Sequence, residues 1–223
     1  MTGRAAMRAA ALLCLCLTGC SNLFQSKAKP EQTYYLRAPA AVAAAAAPMS
    51  ATLRVMRPIT DPGLDNAHIL LVQADHRMNF YSGSRWAAPA PELIEALAVQ
   101  TLRASGDWAS VEGSASPFPS DYMLQVRVRR FEADYAQADK APVVRVVLDC
   151  ILGRRPGREV LATFTVSGDA TSSANHLSQV VAAFEQATGT ALEGLARQTA
   201  QAARADLERA AQNEDKGSAS THR

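Results

Sequence analysis

Three segments in the second half of the chain alternate apolar and polar residues, which is typical of strands with one buried face. In the first, Tyr122 to Tyr135, the apolar positions change phase partway along, and this predicts a β-bulge near Arg129-Arg130. The other two, Val143 to Leu152 and Glu159 to Asp169, flank the turn residues Gly153-Arg154-Arg155-Pro156-Gly157 and predict a hairpin. We expect the apolar face of the last strand to consist of Val160, Ala162, Phe164 and Val166.

Two segments carry the apolar period of amphipathic helices. Pro91 to Ser105 begins with proline, has Glu92 in its first turn and is followed by Gly106, which are typical start and stop signals. The last segment, about His176 to Ala211, has an apolar stripe that fades beyond Leu195, so we expect its final turns to be exposed.

The remaining strand candidates are short and lie in the first half of the chain. The order of strands, helix, strands and helix predicts a single α+β domain over residues 34–211, with a mainly antiparallel sheet and two packed helices. The short candidates are Tyr34 to Leu36, Leu53 to Met56, His68 to Gln73, Arg77 to Tyr81 and Trp108 to Val111.

Two stretches of this chain have the composition of irregular structure. Residues 38–50 are rich in alanine; a nascent helix is one interpretation, but the stretch has no polar face or paired charges, so we interpret it as a flexible linker. Residues 212–223 are polar, and we expect a disordered tail there.

The first nineteen residues have the layout of a secretory signal peptide, with Arg4 and Arg8 before a short apolar run. The following Leu17-Thr18-Gly19-Cys20 matches the lipobox of bacterial lipoproteins. That resemblance implies cleavage after Gly19 and acylation of Cys20, and several acyl chains anchor a protein firmly. The alternative is an ordinary signal peptide with a cysteine there by chance.

Residues 20–33 then comprise the lipidated cysteine and a polar tether, which reaches at most ~40 Å when extended. In such lipoproteins a residue other than aspartate after the cysteine usually implies export to the outer membrane, and here that residue is Ser21. We therefore expect an outer-membrane lipoprotein whose domain faces the periplasm.

Composition and charge exclude two classes of protein, those that span a membrane with helices and those that bind nucleic acid. The 223 residues suit one domain, and no apolar run reaches the roughly 18–20 residues of a spanning helix. The net charge is +2, but without Arg4 and Arg8 the 23 basic residues become 21 and equal the 21 acidic ones. Nucleic-acid affinity comes largely from phosphate neutralisation, so we expect no nucleic-acid partner.

Motifs of catalysis and metal binding are missing from the sequence. It has no HExxH or CxxC pattern, no GxSxG elbow and no GxxxxGK loop. Once the signal leaves and Cys20 is acylated, Cys150 is the one free thiol, and its alternating apolar surroundings favour a buried structural residue. We therefore expect no enzyme, no metal site and no cofactor.

Several features occur in a fixed order along the chain. They are Cys20, Tyr34-Tyr35-Leu36, Leu53-Arg54-Val55, Tyr81, Trp86-Ala87 and Pro89 before the Leu93 to Leu102 helix, and Val180 to Phe184 in the last helix. This order resembles the ABC-type transport auxiliary lipoproteins, which are the PqiC-like lipoproteins associated with MCE-type lipid transport systems. The resemblance covers roughly residues 33–200. It rests on the order and spacing of these features and not on a single motif.

The resemblance implies a non-enzymatic accessory subunit of a system that moves phospholipid or another hydrophobic compound across the Gram-negative envelope. Its implied partners are a periplasmic MCE-domain protein, an inner-membrane permease and a cytoplasmic ATPase; a second copy of the chain is a further candidate. The alternative is an envelope binding module of another kind, such as a cell-wall synthesis activator or an outer-membrane assembly factor.

Two sets of residues are candidates for partner contacts. Tyr81 and Trp86 flank Ser82-Gly83-Ser84-Arg85, which we interpret as a small polar loop, so Tyr81, Arg85 and Trp86 suit an interface. The alternative for Trp86 is packing over the helix that begins at Pro91. The second set consists of three arginines that alternate along the predicted strands, Arg127, Arg129 and Arg145. We interpret them as part of a solvated sheet face. The alternative is a site for a lipid headgroup or a partner.

Overall fold

The sheet is built outward from the two edges of one long strand, Tyr122–Tyr135. The computed structural model describes residues 31–39, 47–137 and 140–221. Two helices, α1 (Ala90–Ala104) and α2 (Leu177–Thr221), and a 3₁₀ turn at Pro156–Arg158 occur there. The strands of these ranges are β1 Gln32–Tyr34, β2 Met49–Val55, β3 Ile59–Thr60, β4 His68–Gln73, β5 Met78–Trp86, β6 Trp108–Glu112, β7 Tyr122–Tyr135, β8 Val143–Arg154 and β9 Glu159–Thr171.

The two edges of β7 are paired in different ways. On one edge β7 pairs with β8, and β8 pairs with β9, both antiparallel. On the other edge three short strands, β2, β3 and β4, pair with β7 in parallel, one after another. From β2 the sheet continues in parallel to β6, and from β4 it continues to antiparallel β5 and then to β1, which is parallel to β5.

The predicted α+β domain with two helices is confirmed. Its sheet is mixed: the long strands are antiparallel, as expected, whereas most of the short strands pair in parallel. Connections of seven and four residues join β7 to β8 and β8 to β9, and such short connections give antiparallel pairs. The short strands reach β7 through longer connections, which permit the parallel direction.

Register shifts decide which face each side chain occupies. The bulge predicted near Arg129-Arg130 is confirmed, because the register between β7 and β8 shifts between Val128 and Arg130. A second shift, at Leu152 and Gly153, places Val160 opposite Gly153. Val160 is therefore 63% exposed and not on the buried face where the sequence pattern puts it, since one extra residue reverses the faces.

Both helices pack on one face of the sheet and form a single core with it. The helix α1 contacts β2 and β6, whereas α2 contacts β7, β8 and β9, and the two helices touch each other. No helix of the described residues covers the opposite face, which we call the open face. One face of the sheet therefore forms the core with the helices, whereas the open face can contact other molecules.

The second helix stays docked further along than its apolar stripe predicts. Beyond Leu195, where we expected exposure, small side chains such as Ala200 and Ala203 remain buried. The Asp206 carboxylate, 2% exposed, accepts hydrogen bonds from the Tyr122 hydroxyl at 3.0 Å and from the Arg154 guanidinium. Small residues and one buried carboxylate thus continue the contact where large apolar side chains end.

Several expected boundaries differ in the structure. The helix α2 runs to Thr221, so residues 212–221 are helical where we expected a disordered tail, and their alanine, glutamine and lysine are good helix formers. Residues 49–50 of the expected linker belong to β2, and residues 32–33 of the expected tether belong to β1. Residues 40–46, the signal peptide and Cys20 lie outside the described residues.

Candidate partner interface

The residues expected to contact a partner, Tyr81, Arg85 and Trp86, all lie on β5. The segment 82–85, which the sequence predicts as a loop, is part of this strand, and its residues Ser84 and Arg85 pair with β1. Gly83 adopts a φ of 66°, a left-handed conformation that glycine accepts readily. Its lack of a side chain also interrupts the apolar–polar alternation, which explains why the strand reads as a loop in the sequence.

Trp86 lies in the centre of the core, with no exposed surface. Its ring centroid is 5.7 Å from that of Phe131 on β7 and 5.1 Å from that of Phe184 on α2, the latter in an edge-to-face arrangement. The side chain therefore holds the second helix to the sheet. A partner that docks on this surface does not reach Trp86.

Tyr81 links three parts of the fold through its hydroxyl group. The hydroxyl oxygens of Tyr81 and Tyr135 are 2.8 Å apart, and Tyr135 donates to Asn175 Oδ1 at 2.6 Å. Burial, together with the hydrogen bond to Tyr135, raises the pKa of Tyr81 well above its ordinary value. The hydroxyl stays protonated, and it ties β5 to β7 and to the segment before α2.

Arg85 is the exposed member of the three residues, and it lies on the open face next to a pair of stacked rings. It lies opposite His68 of β4, whose ring stacks on Phe80 with a centroid distance of 4.5 Å. Phe80 and Met78 are each about half exposed. Phe80 and Met78, together with the His68 ring, form an exposed, largely apolar patch on the β4–β5 part of the open face.

The three strand arginines singled out in the sequence are each paired with a carboxylate. They are Arg127 with Asp61 at 3.2 Å, Arg129 with Asp149 at 3.7 Å, and Arg145 with Asp134 at 2.9 Å and Asp169 at 3.4 Å. A lipid phosphate would have to displace these carboxylates. The pairing therefore favours the solvated sheet face over a headgroup site.

A second exposed apolar area lies where the β8–β9 hairpin turns. Met56, Met123, Ile151 and Val160 line a cavity of about 330 Å³ there, and Arg158 borders it. Arg155 and Arg158 both lie in the turn, and no ion pair among the described residues involves either guanidinium. We call these six residues the hairpin-end surface. Sequence reasoning missed it because Val160 was placed on the buried face; Ile151, an apolar residue at a polar position of β8, was the available signal.

The chemistry of the described residues contains no metal centre or reactive thiol. Within them, no cluster of three or more histidine, cysteine or acidic residues could bind a metal ion. No helix among these residues is long and apolar enough to span a membrane. Cys150 is fully buried, and burial, with a further contribution from the Asp149 charge, raises the pKa of its thiol to about 12.

Comparison with known proteins adds an independent finding. A family model described as "ABC-type transport auxiliary lipoprotein component" matches residues 34–213. This range includes β2 to β9, both helix starts and the docked part of α2. None of the curated proteins matches the chain.

Solved structures support the same fold. A Xanthomonas campestris protein of the DUF330 family has 28% identity and a TM-score of 0.71, over 79% of this chain and 99% of that one. An uncharacterized protein at 16% identity has a TM-score of 0.61, over 76% of this chain and 99% of that one. The PelC dodecamer of Paraburkholderia phytofirmans is 18% identical with a TM-score of 0.38, over 68% of this chain and 92% of that one, and this likeness supports no inference about assembly.

Proposed function

The chain belongs to the family of ABC-type transport auxiliary lipoprotein components, and from this membership we propose that it is a non-catalytic accessory subunit of an MCE-type ABC transport system. The system moves phospholipid or another hydrophobic compound across the Gram-negative envelope. Its other members are a periplasmic MCE-domain protein, a permease and an ATPase. The observation that carries the proposal is the family match over residues 34–213, which spans nearly the whole folded body.

The anchor is the second part of the proposal. Acylated Cys20 holds the protein in the outer membrane, and the domain faces the periplasm. The eleven residues between Cys20 and the first strand reach at most roughly 36–40 Å. A domain on such a tether is held at high local concentration near its partners, which strengthens binding without any new contact.

The domain contributes binding surface to the system. Its helices cover one face of the sheet, and the open face carries exposed apolar side chains at both ends, with paired charges between them. Exposed apolar areas rimmed by polar residues are typical of protein–protein contact sites. We assign the docking of partner subunits, or of a second copy of the chain, to this face.

A tagged full-length chain purified from detergent-solubilised envelopes tests the proposal. We expect a bait mass that shows cleavage after Gly19 and acylation of Cys20, together with co-purified MCE protein, permease and ATPase. A Cys20→Ala variant is the control, and it should lose both the acyl mass and the outer-membrane fraction. Recovery of a peptidoglycan synthase or an outer-membrane assembly complex, without transporter subunits, would instead support the alternative binding-module function.

A further inference from the structure

The hairpin-end surface combines an apolar cavity with unpaired positive charge. The cavity of about 330 Å³ is large enough for one or two apolar side chains, and two of its walls, Met56 and Met123, are flexible thioethers that adapt to an inserted group. Ile151 and Val160 are 42% and 63% exposed, on either side of the register shift in the hairpin. An apolar pocket of this kind fits the anchor side chain of a partner.

The charged residues around this cavity indicate which charge a bound partner segment should carry. Arg154 is already bound to Asp206, and Glu159 lies 3.9 Å from Arg154. Arg155 and Arg158 remain, and neither takes part in an ion pair of the described residues. Arg158 also adopts a φ of 53°, a left-handed conformation that disfavours residues other than glycine. The turn thus presents two exposed arginines, of which Arg158 borders the cavity together with Glu159, while Arg155 lies further along the same turn.

We propose that the hairpin-end surface docks a segment of a partner protein that carries an apolar anchor side chain next to acidic residues. The anchor fills the cavity, and the acidic residues pair with Arg155 and Arg158. The cavity is concave, so a single side chain can enter it, whereas a bilayer surface binds protruding apolar groups. This inference rests on the proposed function, because it assigns one docking site to an accessory subunit that binds partner proteins.

Site-specific photo-crosslinking in cells tests this docking site on the full-length acylated chain. A photo-crosslinking amino acid replaces Ile151, whose exposed position tolerates the change, and mass spectrometry identifies the crosslinked peptide. We expect one protein segment with aspartate or glutamate within a few residues of an apolar crosslinked residue. The double variant R155E/R158E should reduce the crosslink yield about tenfold, because like charges then face each other.

A matched variant separates local from general charge effects. Arg197 is exposed on α2, which packs on the face of the sheet opposite the hairpin-end surface, so R197E should leave the yield unchanged. Equal melting temperatures of all variants exclude unfolding as the cause. Crosslinks to phospholipid, to a second copy of the chain or to a segment without acidic residues would overturn the inference, and so would an unchanged yield in R155E/R158E. If any of these results is obtained while the wild-type chain still co-purifies with transporter subunits, the docking site is wrong but the proposed function is not contradicted.

Discussion

A Cβ atom at Gly168 on β9 would lie 1.9 Å from the carbonyl oxygen of Ala187 on α2. The helix backbone therefore rests directly on the strand at this point, and only glycine permits so close an approach. This contact lies about one helical turn beyond Phe184, which packs against Trp86, and well before the buried Asp206 carboxylate. It fixes the distance between α2 and the sheet.

Replacement of Gly168 by alanine should destabilise the fold. The new methyl group meets helix backbone, which cannot rotate away as a side chain can, so α2 has to shift. Overpacking of this kind costs about 1–3 kcal/mol, and we expect the upper part of that range for Gly168→Ala. Urea unfolding followed by circular dichroism measures the change in the free energy of unfolding.

The control for this variant is Gly189→Ala, within α2 itself. There a Cβ atom would lie 3.8 Å from Pro39 Cβ, which is an ordinary contact distance. Alanine is favoured over glycine in a helix by about 1 kcal/mol, so this variant should be neutral or more stable than the wild type. Equal destabilisation by both variants would show that the close approach at Gly168 is not what limits the packing.

Loss of the Asp206 charge should loosen the C-terminal part of α2. In Asp206→Asn the Tyr122 hydroxyl and the Arg154 guanidinium lose a charged acceptor while the shape of the side chain is kept. We expect a loss of about 1–3 kcal/mol in the free energy of unfolding. Glu208→Gln, an exposed change two residues on, should stay within about 0.5 kcal/mol of the wild type in the same urea titration.

Truncation of Trp86 should affect folding and not partner contact. Its ring fills the space between Phe131 and Phe184, and replacement of a buried tryptophan by alanine costs about 3–5 kcal/mol. A large drop in the melting temperature of Trp86→Ala is therefore expected, whereas Arg85→Ala, at an exposed position, should lower the melting temperature far less. A Trp86→Ala protein that melts normally but loses its partners would instead place the indole at the interface.

Alkaline pH should weaken the fold in part through Cys150. Burial raises the pKa of this thiol from 9.0 to about 12, so the unfolded chain loses the proton at a lower pH than the native one. Its contribution to stability is constant below about pH 9 and is lost as the pH rises from about 9 to 12. The urea midpoint should fall between about pH 8 and about pH 10.5, and less steeply in Cys150→Ala.

The Cys150→Ala variant should retain part of the alkaline slope. Tyr122, whose pKa burial and the Asp206 hydrogen bond raise to about 12, still titrates in that protein. The native thiol should also resist Ellman's reagent at neutral pH and react after unfolding in urea. Rapid reaction of Cys150 in the native protein would contradict its burial.

Elements with a strong local pattern could be predicted from the sequence. The strands β7 and β8 and the helix α1 lie within a few residues of their expected bounds, because each has a long period and clear turn or cap signals. By contrast, β1 and β3 have two or three residues and no period of their own. They are strands because β5 and β7 offer them an edge, and a pairing partner far along the chain leaves no local signal.

The candidate site was predicted less well for a related reason. An aromatic residue beside small polar residues suggests a surface, and Trp86 has that context, yet Phe131 and Phe184 from other elements enclose it. Val160 shows the reverse difference. Its local pattern predicts a buried side chain, but a register shift near Gly153 places it on the exposed face. In both cases tertiary contacts, which single-sequence periodicity does not contain, decide exposure.

The pairing of β7 with three earlier strands also imposes an order of events on folding. The segments β2, β3 and β4 precede β7 in the chain and pair with its residues 122–124, 127–128 and 133–135, so none of them can complete its pairing before that part of β7 is available. The hairpins that join β7, β8 and β9 close over short loops, whereas Leu53 and Tyr122 must meet across a long intervening chain. Such non-local pairing slows folding. Until β7 is in place, β2 and β4 can pair only with β6 and β5, and each leaves an open edge that another strand could occupy.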